Sequence, residues 1–463
     1  MTLMPNLQPT EVLQQRDAAH HLHPFTDTQE LNAKGSRIIV RADGCYLWDS
    51  DGNKFLDGMA GLWCVNVGYG RKEIAEAAYK QMQQLPYYNT FFQTSHPPAI
   101  DLAERLAELA PDGMNHVFYA GSGSDANDTV VRMVRHYWAA MGKPDKKVII
   151  SRKNAYHGST MAGASLGGMQ AMHEQGGLPI PDITHIDQPY WYGEGGDMGP
   201  AEFGLQRARA LEAEIERLGA DRVAAFIGEP VQGAGGVVIP PETYWPEIQR
   251  ICRKHDILIV ADEVICGFGR TGKWFGSETF GIEPDLMPIA KGLSSGYLPI
   301  GGVIVSDRVA EGFIASGGEF NHGYTYSGHP AACAAALANL SILQEEGIVD
   351  QVANETAPYL AEAWKQLGDH PLVGEARISG LFGALELTPD KANRAAFDAP
   401  VGTVGLIGRE NAFGNGLVMR HVRDSMIISP PLVITKAEID ELIDKAALTL
   451  DQTYKAAQEK GLA

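Results

Sequence analysis

The chain is poor in the features that staple a protein, anchor it or dock it electrostatically. Its five cysteines (Cys45, Cys64, Cys252, Cys266 and Cys333) are scattered, odd in number and never spaced as C-x-x-C. That argues against a disulfide framework or a structural zinc site and suits a reducing cytoplasm. Basic residues are the minority: 38 Lys and Arg against 57 Asp and Glu give a net charge of −19. Nucleic acid and anionic membrane surfaces want a basic face, so neither is an expected partner. Long apolar runs are also missing. The best membrane candidate, Pro330 to Leu343, is Ala-rich, too short to span and interrupted by Asn339 and Ser341, so it reads as a buried helix. No basic region followed by an apolar run opens the chain, and no signal peptide is expected.

What is present is an ordinary globular balance, 44% hydrophobic and 21% charged, in a chain long enough to bury roughly three quarters of its unfolded surface. The first 35 residues are mixed and polar. Arg37 to Ala42, Cys45 to Asp49 and Lys54 to Leu56 then read as short strands punctuated by Asp43-Gly44 and Asp51-Gly52, a small antiparallel meander. From about residue 70 the period becomes helical, with Ile74, Ala78, Met82 and Leu85, then Leu102, Leu106 and Leu109. Beyond them, apolar runs alternate with helical segments: Val117–Ala120, Val148–Ile150, Val223–Ile227, Ile257–Ala261, Leu286–Ala290 and Gly302–Val305. Such runs predict strands covered on both faces, hence a mostly parallel sheet in an α/β fold. The last helix is announced by a capping box, Thr435 with Glu438, followed by Ile439, Leu442, Ile443, Ala446 and Leu450 on one face. The expected division is a large domain over 66–330, with a smaller α+β domain built from 1–65 and 331–463.

Three motif matches do not survive their context. Gly267-Phe-Gly269-Arg-Thr-Gly272 is formally G-x-G-x-x-G, the mark of a nicotinamide oxidoreductase, but the residues after it are poor helix formers. As a P-loop the same stretch needs Ser or Thr where Trp274 stands. Gly163-Ala-Ser165-Leu-Gly167 matches a nucleophile elbow, yet no strand runs into it, and a glycine-rich packing turn is expected instead.

A fourth set of residues is coherent. Gly121-Ser-Gly-Ser-Asp-Ala-Asn-Asp128 lies between the strand ending at Ala120 and a helix whose apolar face is Val130, Val131, Val134, Tyr137 and Trp138. Free N–H groups and the dipole at such a helix start suit a phosphate, with Ser122 and Ser124 adding hydroxyls; capping by Ser124 or Asp125 is the plain alternative. Asp262 closes a buried strand at the edge where α/β sheets bind ligands. Lys291 directly follows another apolar run, where partial desolvation would make its amine nucleophilic. Tyr156, just past a third strand, offers a ring. A lysine for an aldehyde, a carboxylate for a pyridine nitrogen, a helix start for a phosphate and an aromatic for stacking are together what pyridoxal phosphate asks for.

With these residues in place, nearly the whole chain resembles the class III, or omega, aminotransferases of fold type I, closest to amine:pyruvate and putrescine:pyruvate transaminases. The resemblance is carried by the stretch Asp57 to Gly70, by 121–128, by Tyr156-His157-Gly158 and by Gly228 to Gly236. Ala261 to Gly272, Ala290-Lys291-Gly292 and His322 to Pro330 complete it. It implies that Lys291 bonds the cofactor and shuttles a proton, that Asp262 pairs with the pyridinium, and that Tyr156 and Val264 flank the ring. Ser122, Gly123, Ser124 and His157 would bind the cofactor too, joined by Thr325 from a neighbouring subunit, with Glu229 steadying the Asp262 side. A homodimer with shared active sites follows, with a tetramer as an open alternative.

By the same resemblance Trp63, Phe91, Phe92, Tyr156 and Ala234 line the substrate pocket, and Arg420 is the mobile arginine that grips a carboxylate, a surface ion pair being its plain alternative. Asp125 stands where a glutamate is usual, and Arg423 where relatives often have glycine. His20, His21 and His23 carry no metal assignment. The expected reaction moves an amino group from a primary amine or ω-amino acid to pyruvate, giving an aldehyde or ketone and alanine. A decarboxylase or aminomutase on the same fold, a nicotinamide oxidoreductase and a cofactor-free scaffold are the alternatives.

Overall fold

The computed structural model describes residues 8–462. Its centre is a seven-stranded sheet in the spatial order His116–Ala120, Gly301–Val305, Leu286–Ile289, Leu258–Ala261, Val223–Gly228, Val148–Arg152, Ile183–Ile186. Gly301–Val305 runs antiparallel to both neighbours, and the other registers are parallel. Five of the strands are buried along their whole length, because helices cover both faces. On one face, helix Gly123–Ala140 buries Val130, Val134 and Trp138 against Ile149, Ala225 and Val303. On the other, Tyr244–Lys254 and Pro200–Leu218 pack Trp245, Ile248 and Leu211 against Ile150 and Phe226. The six expected strands are all present. The seventh, Ile183–Ile186, is an edge strand whose Thr184 and His185 interrupt any apolar run.

The meander forms as Ile39–Asp43, Tyr46–Asp49 and Lys54–Asp57, and Leu417–Val418 adds a parallel fourth strand from the far end of the chain. A second four-stranded sheet joins Val373–Ser379, Phe382–Leu387, Ser425–Ile428 and Arg420–Val422. Helix Lys436–Glu459 starts at the Thr435/Glu438 capping box, worth about 1 kcal/mol. Its Ile439, Leu442, Ala446 and Leu450 are buried, and truncating either leucine to alanine costs about 2–5 kcal/mol. Helices Thr10–His20 and Thr28–Lys34 occupy the polar opening stretch. Among the described residues no helix is long and apolar enough to cross a membrane. Pro330–Glu345 is a buried helix, as expected.

The discarded motifs have structural explanations. The residues 163–167 are not a turn: helix Met161–Leu166 runs through them, and buried Ser165 donates back to Met161 O at 2.6 Å. The Gly267–Gly272 stretch opens no helix at Gly272. Its Arg270 is buried and donates to Leu381 O, Pro430 O and Asn66 Oδ1, riveting the central sheet to the C-terminal part.

Candidate active site

The ends of the central strands converge on a cavity of about 350 Å³. Ser122 caps the helix that follows strand His116–Ala120: it stands in extended backbone and its Oγ accepts from Asp125 N at 3.2 Å. Capping therefore falls to Ser122 and not to Ser124 or Asp125, since only Ser122 precedes the first helical turn. The free N–H groups of that first turn begin at Gly123, which lines the cavity with Ser124. A Cβ on Gly123 would sit 3.0 Å from Val264 Cγ1, so the absent side chain lets the valine close on the helix start. Ser124 Oγ accepts from Ser159 N at 3.1 Å, and Gly158, at φ +126°, makes that approach without a side-chain clash.

Asp262 follows strand Leu258–Ala261 and is 3% exposed. Its Oδ2 lies 2.6 Å from His157 Nδ1 and 2.9 Å from Asn127 Nδ2, and its Oδ1 accepts from Val264 N. An ionised carboxylate only accepts, so the shared proton belongs to His157 Nδ1. Asn127 Nδ2 also reaches Gly123 O at 3.2 Å, so one amide links the helix start to the carboxylate. Sequence reading missed Asn127. The signal was its position one helical turn after Gly123, on the same face. His157 Nε2 and Asn127 Oδ1 are buried without partners, directly behind the cavity wall.

Glu229 is buried beside them. Its carboxylate accepts from Tyr156 N at 3.3 Å and Gly233 N at 2.9 Å, and burial pushes its pKa up. Glu263, next to Asp262, is fully enclosed; burial raises its pKa to about 7 even though it accepts from Ser277 N, Ser277 Oγ and Gly276 N.

Lys291 begins a short 3₁₀ turn after strand Leu286–Ile289 and has φ +45°, an unusual value for a lysine. It is partly exposed and lines the cavity, while the protein packed around it pushes its pKa below the usual lysine range. Its Nζ lies 5.2 Å from the centroid of Trp63, and Arg420 Cζ lies 5.1 Å from the same centroid. Arg420 has no carboxylate within ion-pair distance among the described residues, which removes the surface-ion-pair alternative, and burial lowers its pKa. Ala234 packs in the apolar cluster that holds Trp63 and Tyr156. Phe25 comes within 6.4 Å of the Tyr156 ring; nothing local in the sequence points to it.

Three expected residues stand apart from this cavity. Phe91 packs against Gly323, Phe92 is 91% exposed, and Thr325 is exposed with its carbonyl accepting from Tyr87 Oη. Arg423 points elsewhere, its guanidinium donating to Gly235 O at 3.4 Å and lying over Tyr190. His21 Nδ1 and His23 Nε2 lie 3.1 and 2.8 Å from the two oxygens of Asp17, and His20 is not among them.

The donor set fits pyridoxal phosphate. A buried acid held by two side-chain donors, an amine within the same cavity and a glycine-opened helix start answer its ring nitrogen, aldehyde and phosphate.

Comparison with known proteins agrees. Residues 29–450 match the family model "Aminotransferase class-III". The chain is 63% identical over 437 residues to the putrescine–pyruvate aminotransferase of Pseudomonas aeruginosa, covering 94% of this chain and 95% of that one. It is 46% identical over 453 residues to the diaminobutyrate–2-oxoglutarate transaminase of Halomonas elongata, covering 96% and 95%. Among solved structures, the omega transaminase of Pseudomonas jessenii in complex with PMP superposes with a TM-score of 0.94 at 43% identity, covering 97% of this chain and 99% of that one. An (S)-enantioselective omega transaminase from Thermomicrobium roseum superposes with a TM-score of 0.93, also at 43% identity, over 97% and 100%. Identity at this level over nearly the full length leaves one family: the chain belongs to the class III aminotransferases.

Proposed function

We propose that this pyridoxal phosphate-dependent transaminase takes putrescine or a similar short aliphatic amine as donor and pyruvate as acceptor. One observation carries the reading: the Lys291 amine and the hydrogen-bonded Asp262 carboxylate share a single cavity with the start of helix Gly123–Ala140. The 63% identical relative supports the choice of donor and acceptor.

When bound, the cofactor supplies an electron sink that lets a substrate C–H bond break at neutral pH. The chain does the rest. Ser122, Gly123 and Ser124 would hold the phosphate with hydroxyl and N–H donors at a helix start. Asp262, oriented by His157 and Asn127, keeps the ring nitrogen protonated. Tyr156 and Val264 confine the ring, and Glu229 braces the Tyr156 backbone. Lys291 Nζ, favoured in its neutral form by burial, would be the base that takes the proton from the substrate carbon. Arg420 receives the carboxylate of pyruvate through its fork of N–H donors.

We further place Thr325 in the active site of a second copy, which makes the working unit a homodimer. In support, the segment 87–94 and the loop 321–329 pack together yet leave Phe92 91% and Tyr326 68% exposed, more aromatic surface than a monomer usually shows. The domain division at 65 and 330 is retained, supported by the pairing of Leu417–Val418 with Leu56–Asp57. A cytoplasmic location is supported by five free cysteines.

The test is initial-rate kinetics with putrescine and pyruvate. Parallel double-reciprocal lines and one alanine formed per putrescine consumed are expected. Intersecting lines, or carbon dioxide release without alanine, would overturn the reading.

A further inference from the structure

We propose that the Trp63 indole is a cation seat that receives the distal ammonium of a diamine, and that Arg420 vacates it for that ammonium. The proposal rests on the transaminase reading and names what makes a diamine a preferred donor.

The seat is built. Trp63 is 2% exposed and has φ +59°, a left-handed conformation that a bulky residue rarely adopts. Asp57 holds the turn in that shape. Its Oδ1 accepts from Met59 N at 2.9 Å, and its Oδ2 accepts from Gly61 N and Tyr69 Oη, each at 2.7 Å. Trp63 N then closes the turn on Met59 O. The fold thus accepts backbone strain to present this ring.

Two basic side chains already lie over it, one of them the guanidinium of Arg420. Lys291 Nζ is 5.2 Å and Arg420 Cζ 5.1 Å from the ring centroid, both inside the range of attraction to an aromatic quadrupole, for which indole is the strongest natural ring. Beyond this ring Arg420 has no carboxylate to hold it among the described residues, so the guanidinium is parked on the indole and not tethered. Lys291 is informative in another way. Its side chain is four methylenes ending in a nitrogen, the whole chain of putrescine with one of its two nitrogens, and the structure places that nitrogen 5.2 Å from the Trp63 centroid. A diamine whose first nitrogen reacts carries a second one of the same kind. Asp262 and Glu229 of the cavity are engaged by hydrogen bonds of their own, and Trp63 packs in the apolar cluster with Tyr156 and Ala234 beside it, so once Arg420 withdraws the indole face receives the second nitrogen. When pyruvate follows, its carboxylate draws Arg420 back. One ring therefore serves both half-reactions, and the net charge of −19 concentrates dications near the protein.

The experiment compares kcat/KM for putrescine and for n-butylamine in the holoenzyme at saturating pyruvate, for wild type, Trp63→Phe and Trp63→Leu. Butylamine has the same chain without the second charge, so the ratio isolates the seat. Wild type is expected to prefer putrescine about tenfold, Trp63→Phe to keep that ratio within about threefold, and Trp63→Leu to lose it. A wild-type enzyme that prefers butylamine, or a ratio unchanged in Trp63→Leu, overturns the proposal. A second readout does not need turnover: calorimetric binding of butyltrimethylammonium, which cannot react, should weaken about tenfold in Trp63→Leu relative to Trp63→Phe, and equal affinities overturn the proposal. If the leucine variant does not fold, Trp63→Met takes its place in both measurements. Absence of alanine formation from either amine by wild type would overturn the transaminase reading itself, and the seat with it.

Discussion

The two ends of the cavity are built differently. At the inner end, Asp262, His157, Asn127, Glu229 and Glu263 are all buried, and each is tied by hydrogen bonds to groups fixed by the central sheet. At the other end, the mouth, Tyr156 lines the cavity and meets Phe25 edge to face, and beside it Arg420 lies over Trp63 with no carboxylate to hold it among the described residues, on turns and on the short strand Arg420–Val422. Hydrogen bonds between buried polar groups are unforgiving of displacement, because an orphaned partner loses about 1–3 kcal/mol. Ring and cation contacts tolerate exchange of one cation for another. On the proposed reading, the chemistry shared by all substrates sits on the rigid end, and discrimination between substrates on the exchangeable end.

The sharpest way to break this comparison is at the inner end. Asp262→Asn keeps the shape and removes the charge. Steady-state assays should show kcat down by two to three orders of magnitude for every amine alike. The same change has a signed pH effect on Lys291. Asp262 favours the ammonium form there, so its loss lowers the lysine pKa further. The rate at which cofactor-free protein takes up pyridoxal phosphate rises with pH, levels off below the ordinary lysine range, and in Asp262→Asn does so at still lower pH.

Glu263 gives the next largest effect, on stability. Its folded pKa of about 7 lies above the usual 4.5, so the folded state holds the extra proton between those values. Stability from this group is therefore full below pH 4.5 and is lost as pH rises toward 7, by about 3 kcal/mol in all. Urea unfolding at pH 5 and pH 8 should show that loss in wild type and not in Glu263→Gln.

At the mouth the effects should be smaller and selective. Arg420→Leu is expected to raise KM for pyruvate about 30-fold, equivalent to about 2 kcal/mol for a charge-assisted pair, while kcat/KM for putrescine changes only a few-fold. An equal loss for both substrates would erase the distinction between the two ends. The smallest effect expected is that of Asn127→Ala. Removing one of three donors to Asp262 should lower kcat about tenfold for all amines and weaken cofactor affinity, measured by equilibrium dialysis, because the same amide steadies Gly123.

Much of the inner end was legible in the sequence. Lys291, Asp262, Tyr156 and the 121–124 cradle each follow an apolar run, and a parallel sheet brings its strand ends together without further instruction. What was illegible depends on distance along the chain or on context overriding local preference. Asn127 and Asp262 are 135 residues apart, and only the folded helix aims one at the other. Phe25 reaches Tyr156, and Arg420 reaches Trp63, through tertiary packing. The Ile183–Ile186 strand hid behind polar residues at a sheet edge. Helix Met161–Leu166 was read as a turn because glycine disfavours helices, a preference that burial of Leu166 and Ser165 overrode. Phe91 and Phe92 were assigned to a substrate pocket that this single chain does not bring them to, while Thr325, expected to serve the phosphate of a neighbouring subunit, stands away from its own chain's cavity.

The most direct measurement is borohydride reduction of the cofactor-loaded protein followed by peptide mapping. A pyridoxyl label on Lys291, lost in Lys291→Ala together with at least a thousandfold of the activity, is the predicted result. A label on any other lysine, or none on fully loaded protein, would contradict it.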